Sequence, residues 1–152
     1  MYQKLAFIMV IAILLAACGQ IKVDVPDTVE AQAAQVLVEA YITTNVEYDA
    51  EGLLALYADD IFWMDYGGED GPLTKGNLEF AVREIMPTQE FKMEFTSYLI
   101  TMDGQFAVLE GSYSEISPLT GKWVEAPFVL VLGFKDNLII REEWYYNGSV
   151  FH

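Results

Sequence analysis

The amino-acid sequence predicts an α+β domain with its helices on one face of a curved, mostly antiparallel sheet. In the first half of the chain, apolar residues recur at helical spacing around a single short strand-like run. The second half changes to four long alternating or apolar runs rich in Val, Ile, Phe, Tyr and Trp, which are typical of strands. Helices followed by a series of strands favour an α+β architecture over a parallel sheet.

Three helices are predicted from start signals, stop signals and apolar stripes. The segment Asp27-Thr28-Val29-Glu30 has the form of a capping box, with Asp27 as the cap of the first helix. Asp49 caps a shorter second helix, and a third starts near Thr74 and ends at Pro87. The predicted stripes consist of Ala33, Val36, Leu37, Ala40 and Tyr41 on the first helix, Leu53, Leu56 and Tyr57 on the second, and Leu78, Ala81, Val82 and Ile85 on the third.

Five strands are predicted, one between the second and third helices and four after the third. The single strand covers residues 61–66, and the later ones cover residues 90–102, 105–116, 122–134 and 138–147. Turn-forming segments such as Asp103-Gly104 and Lys135-Asp136-Asn137 separate the last four strands. These four are therefore expected to pair as antiparallel neighbours.

Residues 1–17 have the features of a bacterial lipoprotein signal peptide. Lys4 precedes an apolar run over residues 5–17, which is too short for a permanent membrane span. The segment Leu15-Ala16-Ala17-Cys18-Gly19 resembles the lipobox of bacterial lipoproteins, in which the cysteine is lipidated and becomes the first residue. An ordinary signal peptide with an incidental cysteine is the alternative. The lipobox implies a lipid-anchored protein of the bacterial cell envelope that faces outside the cytoplasm, with a tether over residues 18–27 and one domain over residues 28–152.

The composition excludes several classes of function. Without residues 1–17, seven Lys and Arg residues face 23 Asp and Glu residues, a net charge of −16. Such an excess argues against binding to nucleic acid and against electrostatic docking on anionic lipid. Cys18 is the only cysteine, so an intrachain disulfide is excluded. The single histidine, His152, argues against a histidine-based metal site or catalytic triad.

The order of elements, together with Leu56-Tyr57-Ala58-Asp59-Asp60 before the first predicted strand, resembles the NTF2-like superfamily in its SnoaL-like and ketosteroid isomerase-like branch. Gly76 at the start of the third helix and a last strand that ends in aromatic residues extend the resemblance over residues 28–148. The resemblance implies a cone, in which a strongly curved sheet wraps around three helices and an apolar pocket opens at one end. It also implies activity without a cofactor and a homodimer that forms through the outer sheet face.

The same resemblance gives Asp65 and Tyr41 candidate catalytic roles. In ketosteroid isomerases the general base is an Asp at the end of a motif D-D-A-T-V-E-D, and this sequence has Asp59-Asp60-Ile61-Phe62-Trp63-Met64-Asp65. Their oxyanion-hole tyrosine lies twenty-four residues before that Asp, which is also the separation of Tyr41 from Asp65. Their second donor, a protonated Asp, follows an Ala-Pro-hydrophobic segment. Here Val129 follows Ala126-Pro127-Phe128, so steroid isomerase activity is not expected.

Each candidate residue also has a structural interpretation. Asp65 is either a pocket carboxylate or a solvated residue at a strand end beside Gly67. Tyr41 is either a core residue or a hydrogen-bond donor to Asp65 or to a ligand. Alternation places Glu142, Trp144 and Tyr146 on one face of the last strand, and the resemblance points that face inward; a solvated sheet edge is the alternative. The further candidates for the pocket lining, which could equally be core residues, are Tyr57, Trp63, Tyr113 and Val129.

Two functions follow from these features. The first is a lipid-anchored binding protein whose apolar pocket holds a small apolar or carbonyl-containing ligand. The second is a cofactor-independent isomerase or cyclase in which Asp65 is the general base and Tyr41 the hydrogen-bond donor. The missing oxyanion donor favours the binding protein, and the spacing of Tyr41 and Asp65 supports the enzyme.

Overall fold

A computed structural model describes residues 21–67, 72–117 and 119–150 of the 152-residue chain. The predicted signal peptide, Cys18 and His152 lie outside these residues. The helices are α1 (Val29–Val46), α2 (Ala50–Ala55) and α3 (Lys75–Ile85), and short 3₁₀ turns follow at Met86–Thr88 and Gly148–Val150. The strands are β1 (Lys22–Asp24), β2 (Tyr57–Asp65), β3 (Phe91–Ile100), β4 (Phe106–Ile116), β5 (Trp123–Lys135) and β6 (Leu138–Tyr146).

The strands form one curved sheet in the order β1-β3-β4-β5-β6-β2. Strands β3 to β6 are antiparallel neighbours, as predicted from their connecting turns. The two outer strands, β1 and β2, join the sheet in parallel with β3 and β6. The predicted α+β fold class, with three helices packed in a mostly antiparallel sheet, is confirmed.

Helix α1 buries a different face from the predicted one. Its buried residues are Ala31, Ala34, Val38, Tyr41, Ile42 and Asn45. Tyr41 lies on the predicted stripe, but Val36 is 67% exposed and Ala33 is also exposed. Small and apolar residues occur all round this helix, so more than one stripe satisfies helical spacing. The side chains that pack against the sheet therefore select the buried face.

The start of α1 also differs from the prediction. Thr28, not Asp27, is the N-cap, and its hydroxyl accepts a hydrogen bond from the Ala31 backbone N–H at 3.2 Å. The same hydroxyl donates to the Met102 carbonyl at 2.8 Å, which ties the helix start to the end of β3. Asp27 instead accepts a hydrogen bond from the Gln32 side chain. The cap thus lies one residue later than predicted, at a side chain that also binds the turn after β3.

One strand of the sheet was not predicted, and another begins before its predicted start. Residues 22–24, within the predicted tether, form β1 and pair with Ser97–Leu99 of β3, so this part of the tether is an edge strand. Strand β2 begins at Tyr57, four residues before its predicted start, because Tyr57 pairs with Ile139 of β6. A register shift between Tyr57 and Phe62 interrupts this pairing. Within the described ranges, no helix is long and apolar enough to cross a membrane.

A pocket between the helices and the sheet

The site lies in a cavity of about 320 Å³ between the three helices and the concave side of the sheet. Helix α1 contributes Tyr41 and Asn45, and α3 contributes four largely apolar positions from Leu78 to Ile85. The sheet supplies most of the aromatic and all of the acidic side chains of the wall. These sheet residues are Tyr57, Trp63, Asp65, Phe91, Met93, Tyr113, Glu142, Trp144 and Tyr146.

Glu142 is the most deeply buried charged residue of this wall, with only 2% of its surface exposed. Its Oε1 accepts hydrogen bonds from the Tyr41 hydroxyl at 3.0 Å and from the indole N–H groups of Trp63 and Trp144 at 3.1 and 2.6 Å. Its Oε2 accepts one from the Tyr57 hydroxyl at 2.5 Å. Four donors from α1, β2 and β6 therefore converge on one carboxylate.

Burial and charge raise the pKa values of the two tyrosines in this cluster, whereas opposing effects act on the pKa of Glu142. Burial raises the pKa of Glu142, and the hydrogen bonds from Tyr57, Trp144, Tyr41 and Trp63 oppose that rise. Burial and the Glu142 charge raise the pKa of Tyr41 and of Tyr57 well above the ordinary value. Both tyrosines are thus neutral donors at physiological pH. The indole groups can only donate, which favours Glu142 as an acceptor.

Asp65 is the second acidic side chain of the pocket wall and lies at the end of β2. Its Oδ2 accepts a hydrogen bond from the Tyr146 hydroxyl at 2.8 Å, and its Oδ1 accepts one from the Gly67 backbone N–H at 2.8 Å. A Cβ at Gly67 would lie 2.6 Å from the ring and the carbonyl of Tyr146. The glycine thus allows the loop after β2 to pass close enough for both contacts.

The hydrogen bond from Tyr41 to Asp65, one of the alternatives that the sequence left open, is not formed. Tyr41 has one hydroxyl proton, and it is directed to Glu142. The sequence separation placed both residues on the same pocket, but it did not identify the carboxylate that Tyr41 contacts. Glu142, which the sequence offered as a second pocket acid or a solvated edge residue, holds the central position.

Of the nine predicted site residues with side chains in the sheet or on α1, all but one line the cavity. The exception is Val129, which is 38% exposed on the outer face of β5. The prediction that Val129 lines the pocket is wrong, because Ala126, Phe128 and Leu130 point inward and alternation turns Val129 outward. The inward position in this part of β5 is occupied by the apolar Phe128.

Alternation on β6 agrees with the predicted inward face. Glu142, Trp144 and Tyr146 line the cavity, and Tyr145 is exposed. Glu143 is nevertheless buried on the opposite face, where it accepts hydrogen bonds from Arg141 at 2.8 Å and from Tyr66 at 3.2 Å. The Arg141 guanidinium lowers the pKa of Glu143. The pKa of the neighbouring Glu142, by contrast, is raised by burial.

Several pocket residues were missed at the sequence level. Asn45 is buried one helical turn after Tyr41, and its side chain donates to the Tyr41 carbonyl at 2.9 Å. A polar residue on the same face as Tyr41 was the available signal for it. Phe91 and Met93 alternate with the exposed Lys92 and Glu94 at the start of β3, so period-two alternation was the available signal for them. Among the described residues, no group of three His, Cys, Asp or Glu side chains is placed to hold a metal ion.

Comparison with known proteins assigns the architecture. No family model matches the chain, and no curated protein matches it. Many solved structures do match, among them an NTF2-like protein from Burkholderia thailandensis, with a TM-score of 0.67, 17% identity, and coverage of 78% of this chain and 92% of that one. This chain has the NTF2-like fold. The resemblance predicted from its sequence is thereby confirmed at the level of the fold.

Two further solved structures show the same NTF2-like architecture. A protein from Xanthomonas campestris pv. campestris, assigned as a polyketide cyclase, has a TM-score of 0.66 and 16% identity, and the match covers 81% of this chain and 99% of that one. TerC, co-crystallised with polyporic acid, has a TM-score of 0.66 and 19% identity, with coverage of 79% and 95%. At these identities the likeness concerns the fold alone.

Proposed function

We propose that this NTF2-like protein binds a small molecule in the pocket at Glu142 and Asp65, and that it does so as a lipid-anchored protein of the bacterial envelope. The observation that carries the proposal is a cavity with largely apolar walls on which two acidic side chains converge. Its volume of about 320 Å³ lies within the range of small-molecule sites. TerC, which shares the fold, was crystallised with a small organic acid, and this supports a ligand-binding use of the architecture.

The buried carboxylate supports a functional role for the cavity. An acidic group without a basic partner loses its hydration on burial, and even four hydrogen bonds only partly offset that loss. Apolar side chains of similar volume would fill the core at lower cost. Buried acids of this kind cluster at functional sites, where they orient a ligand or take part in chemistry.

The proposal is tested by filling the cavity. Ala81 lies on the pocket side of α3, and Ala81→Leu would place three additional carbon atoms in the cavity. The full-length protein and this variant are purified identically in a neutral detergent and compared by native mass spectrometry for co-purified small molecules. The control is Ala33→Leu, at an exposed position of α1. A ligand retained by wild type and the control but lost from Ala81→Leu supports the proposal; retention by all three contradicts it.

The lipid anchor is tested separately. Radiolabelled palmitate should be incorporated by the wild-type protein in a bacterial host and not by Cys18→Ser. The wild-type protein should also fractionate with membranes. Palmitate labelling of Cys18→Ser at the wild-type level would rule out Cys18 as the anchor.

A second candidate function is an isomerase or cyclase in which Asp65 removes a proton from a carbonyl substrate. The observation that favours it is the Asp65 carboxylate on the pocket wall, in hydrogen-bond contact with Tyr146. Tyr41 is a donor to substrate in this scheme only if its hydroxyl turns away from Glu142. Deuterium exchange at the α-carbon of small ketones would be detected by NMR. Asp65→Asn should slow it by about 10²–10⁴-fold, and Asp60→Asn, at an exposed position of β2, should not.

A further inference from the structure

We propose that the ligand of this pocket is an organic cation, an amine or quaternary ammonium group on a small apolar body. The inference rests on the proposed small-molecule binding and specifies the chemical class of the ligand. Three properties of the wall carry it: the sign of its charge, the direction of its hydrogen-bond donors and its aromatic surface.

The charged side chains of the wall all have the same sign. Asp65 and Glu142 line the cavity, and no Lys, Arg or His is among the described residues around it. Among the described residues, the hydrogen bonds to Glu142 come from tyrosine and indole groups and not from a basic side chain. An anionic ligand would be repelled by both acids, whereas a cation would be attracted by them.

The donors of the pocket are directed to acceptors within the protein. Four of them bind Glu142, as described above. The Tyr146 hydroxyl donates to Asp65, the Tyr113 hydroxyl donates to Glu115 at 2.9 Å, and the Asn45 amide donates to the Tyr41 carbonyl. A carbonyl or carboxylate on a ligand would have to displace one of these contacts. An ammonium group interacts with the carboxylates through its charge, so none of these donors has to leave its partner.

Aromatic rings lead along the wall toward Asp65. The ring centroids of Phe91 and Tyr113 are 6.1 Å apart, those of Tyr113 and Tyr146 are 6.2 Å apart, and the Tyr146 hydroxyl contacts Asp65. The faces of aromatic rings attract cations, and quaternary ammonium groups in particular are bound by aromatic side chains. The wall thus combines aromatic rings with a carboxylate at one end, which suits an ammonium group attached to an apolar body.

The net charge of the whole chain also favours a cationic ligand. Its formal net charge of −15 raises the local concentration of cations around the protein and lowers that of anions. A neutral alcohol could also donate to Asp65, but it would gain nothing from this field or from the ring faces. The comparison of an amine with its matched alcohol therefore separates the two ligand classes.

The test uses three probes of similar shape: 2-phenylethylamine, 2-phenylethanol and 3-phenylpropanoate. Binding to the full-length protein in neutral detergent is measured by isothermal titration calorimetry, with Ala81→Leu in the same detergent as the blank. We expect the amine to bind about tenfold or more tightly than the alcohol, since it adds charge-assisted and cation–π contacts, and the carboxylate to bind most weakly. Asp65→Asn should reduce the preference for the amine over the alcohol, and Asp60→Asn should leave it unchanged.

The outcomes distinguish this inference from the proposed function. If the alcohol or the carboxylate binds at least as tightly as the amine, the cation class is overturned and small-molecule binding stands. If no probe binds above the blank, the cation class is also overturned, and the co-purification experiment with Ala81→Leu decides the proposed function independently. An amine preference that persists in Asp65→Asn would remove Asp65 from the inferred site.

Discussion

At the scale of single residues, Glu142 combines deep burial with several hydrogen bonds to one carboxylate. Four side chains donate to it, and two of them are indole groups that cannot reverse the hydrogen bond. The consequences of replacing it therefore depend on whether the new side chain accepts hydrogen bonds.

Glu142→Gln should be tolerated, and Glu142→Leu should not. The Gln oxygen can take the three donors at Oε1, and its NH₂ group can donate to Tyr57, whose hydroxyl then accepts. Leu leaves four donors without an acceptor, three of them in buried contacts, which should lower the free energy of unfolding by about 3 kcal/mol or more. Urea denaturation of both variants measures the difference. Equal losses in the two variants would show that the charge, and not the acceptor, is what the site requires.

The pH dependence of stability should also report on Glu142. Burial raises the pKa of this carboxyl, so the folded protein holds its proton at pH values where the unfolded chain has released it. The contribution of Glu142 to stability is therefore fully present below the unfolded pKa of about 4.3 and is lost as pH rises toward the folded pKa.

We expect the difference in unfolding free energy between wild type and Glu142→Gln to fall with rising pH across this window. Subtracting the two curves removes the other acids, which both proteins share. Urea denaturation between pH 4 and pH 8 provides the measurement. A pH-independent difference would mean that the pKa of Glu142 is the same in the folded and unfolded states.

At the scale of elements, a hydrogen bond joins the start of α1 to the turn that follows β3. Thr28 makes this contact, because its hydroxyl both caps the helix and donates to the Met102 carbonyl. Asp27 lies one residue earlier and contacts only Gln32. The two neighbouring residues should therefore differ in their effect on stability.

Thr28→Ala should lower the free energy of unfolding by about 1 kcal/mol, which is typical for loss of an N-cap. Asp27→Ala, the matched control, should cost only a few tenths of a kcal/mol, because its contact with Gln32 is exposed. Thermal or urea denaturation of both variants checks the order. A larger loss for Asp27→Ala would restore the capping box predicted from the sequence.

Elements could be predicted from the sequence better than the directions of their side chains. Period and turn chemistry located the three helices and the four antiparallel strands. On β6 the period of two placed Glu142, Trp144 and Tyr146 on one face, and the resemblance to NTF2-like proteins pointed that face inward. On β5 Val129 was placed in the pocket because it follows Ala126-Pro127-Phe128, where the resemblance puts the second donor of the isomerases, and the structure turns it outward.

The hydrogen-bond network of the site could not be predicted for a different reason. Its partners come from α1, β2 and β6, and spacing within one segment carries no information about contacts between distant segments. The separation of Tyr41 and Asp65 identified two wall residues but not the partner of either. The early start of β2 at Tyr57 was likewise decided by pairing with Ile139, a residue far along the chain.

At the scale of the whole molecule, the outer face of the sheet carries several exposed apolar side chains. They include Leu99, Phe106, Ile116, Trp123, Val129 and Tyr145. Extended apolar patches of this kind commonly mark protein interfaces. We propose that two copies of the chain associate through this face, as the resemblance to NTF2-like proteins implied.

Val129→Lys should shift the protein from dimer to monomer, because it places a charge within this patch. The control is Val36→Lys, which puts the same charge at an exposed position of α1, away from the sheet. Sedimentation velocity at micromolar concentration, in a density-matched detergent, distinguishes the two states. A wild-type monomer, or a dimer that persists in Val129→Lys, would contradict association through this face.

The hydrogen bonds to Glu142 from Tyr41, Tyr57 and Trp63 join residues 101, 85 and 79 positions apart in the chain. Long chain closures are slow to form, so these contacts are expected late in refolding, after the β3–β4 and β4–β5 hairpins. Trp63 and Trp144 both donate to this carboxylate, so their fluorescence should change when the contacts around Glu142 form. With the exposed Trp123 replaced by Phe, a stopped-flow fluorescence trace would report when the contacts around Glu142 form.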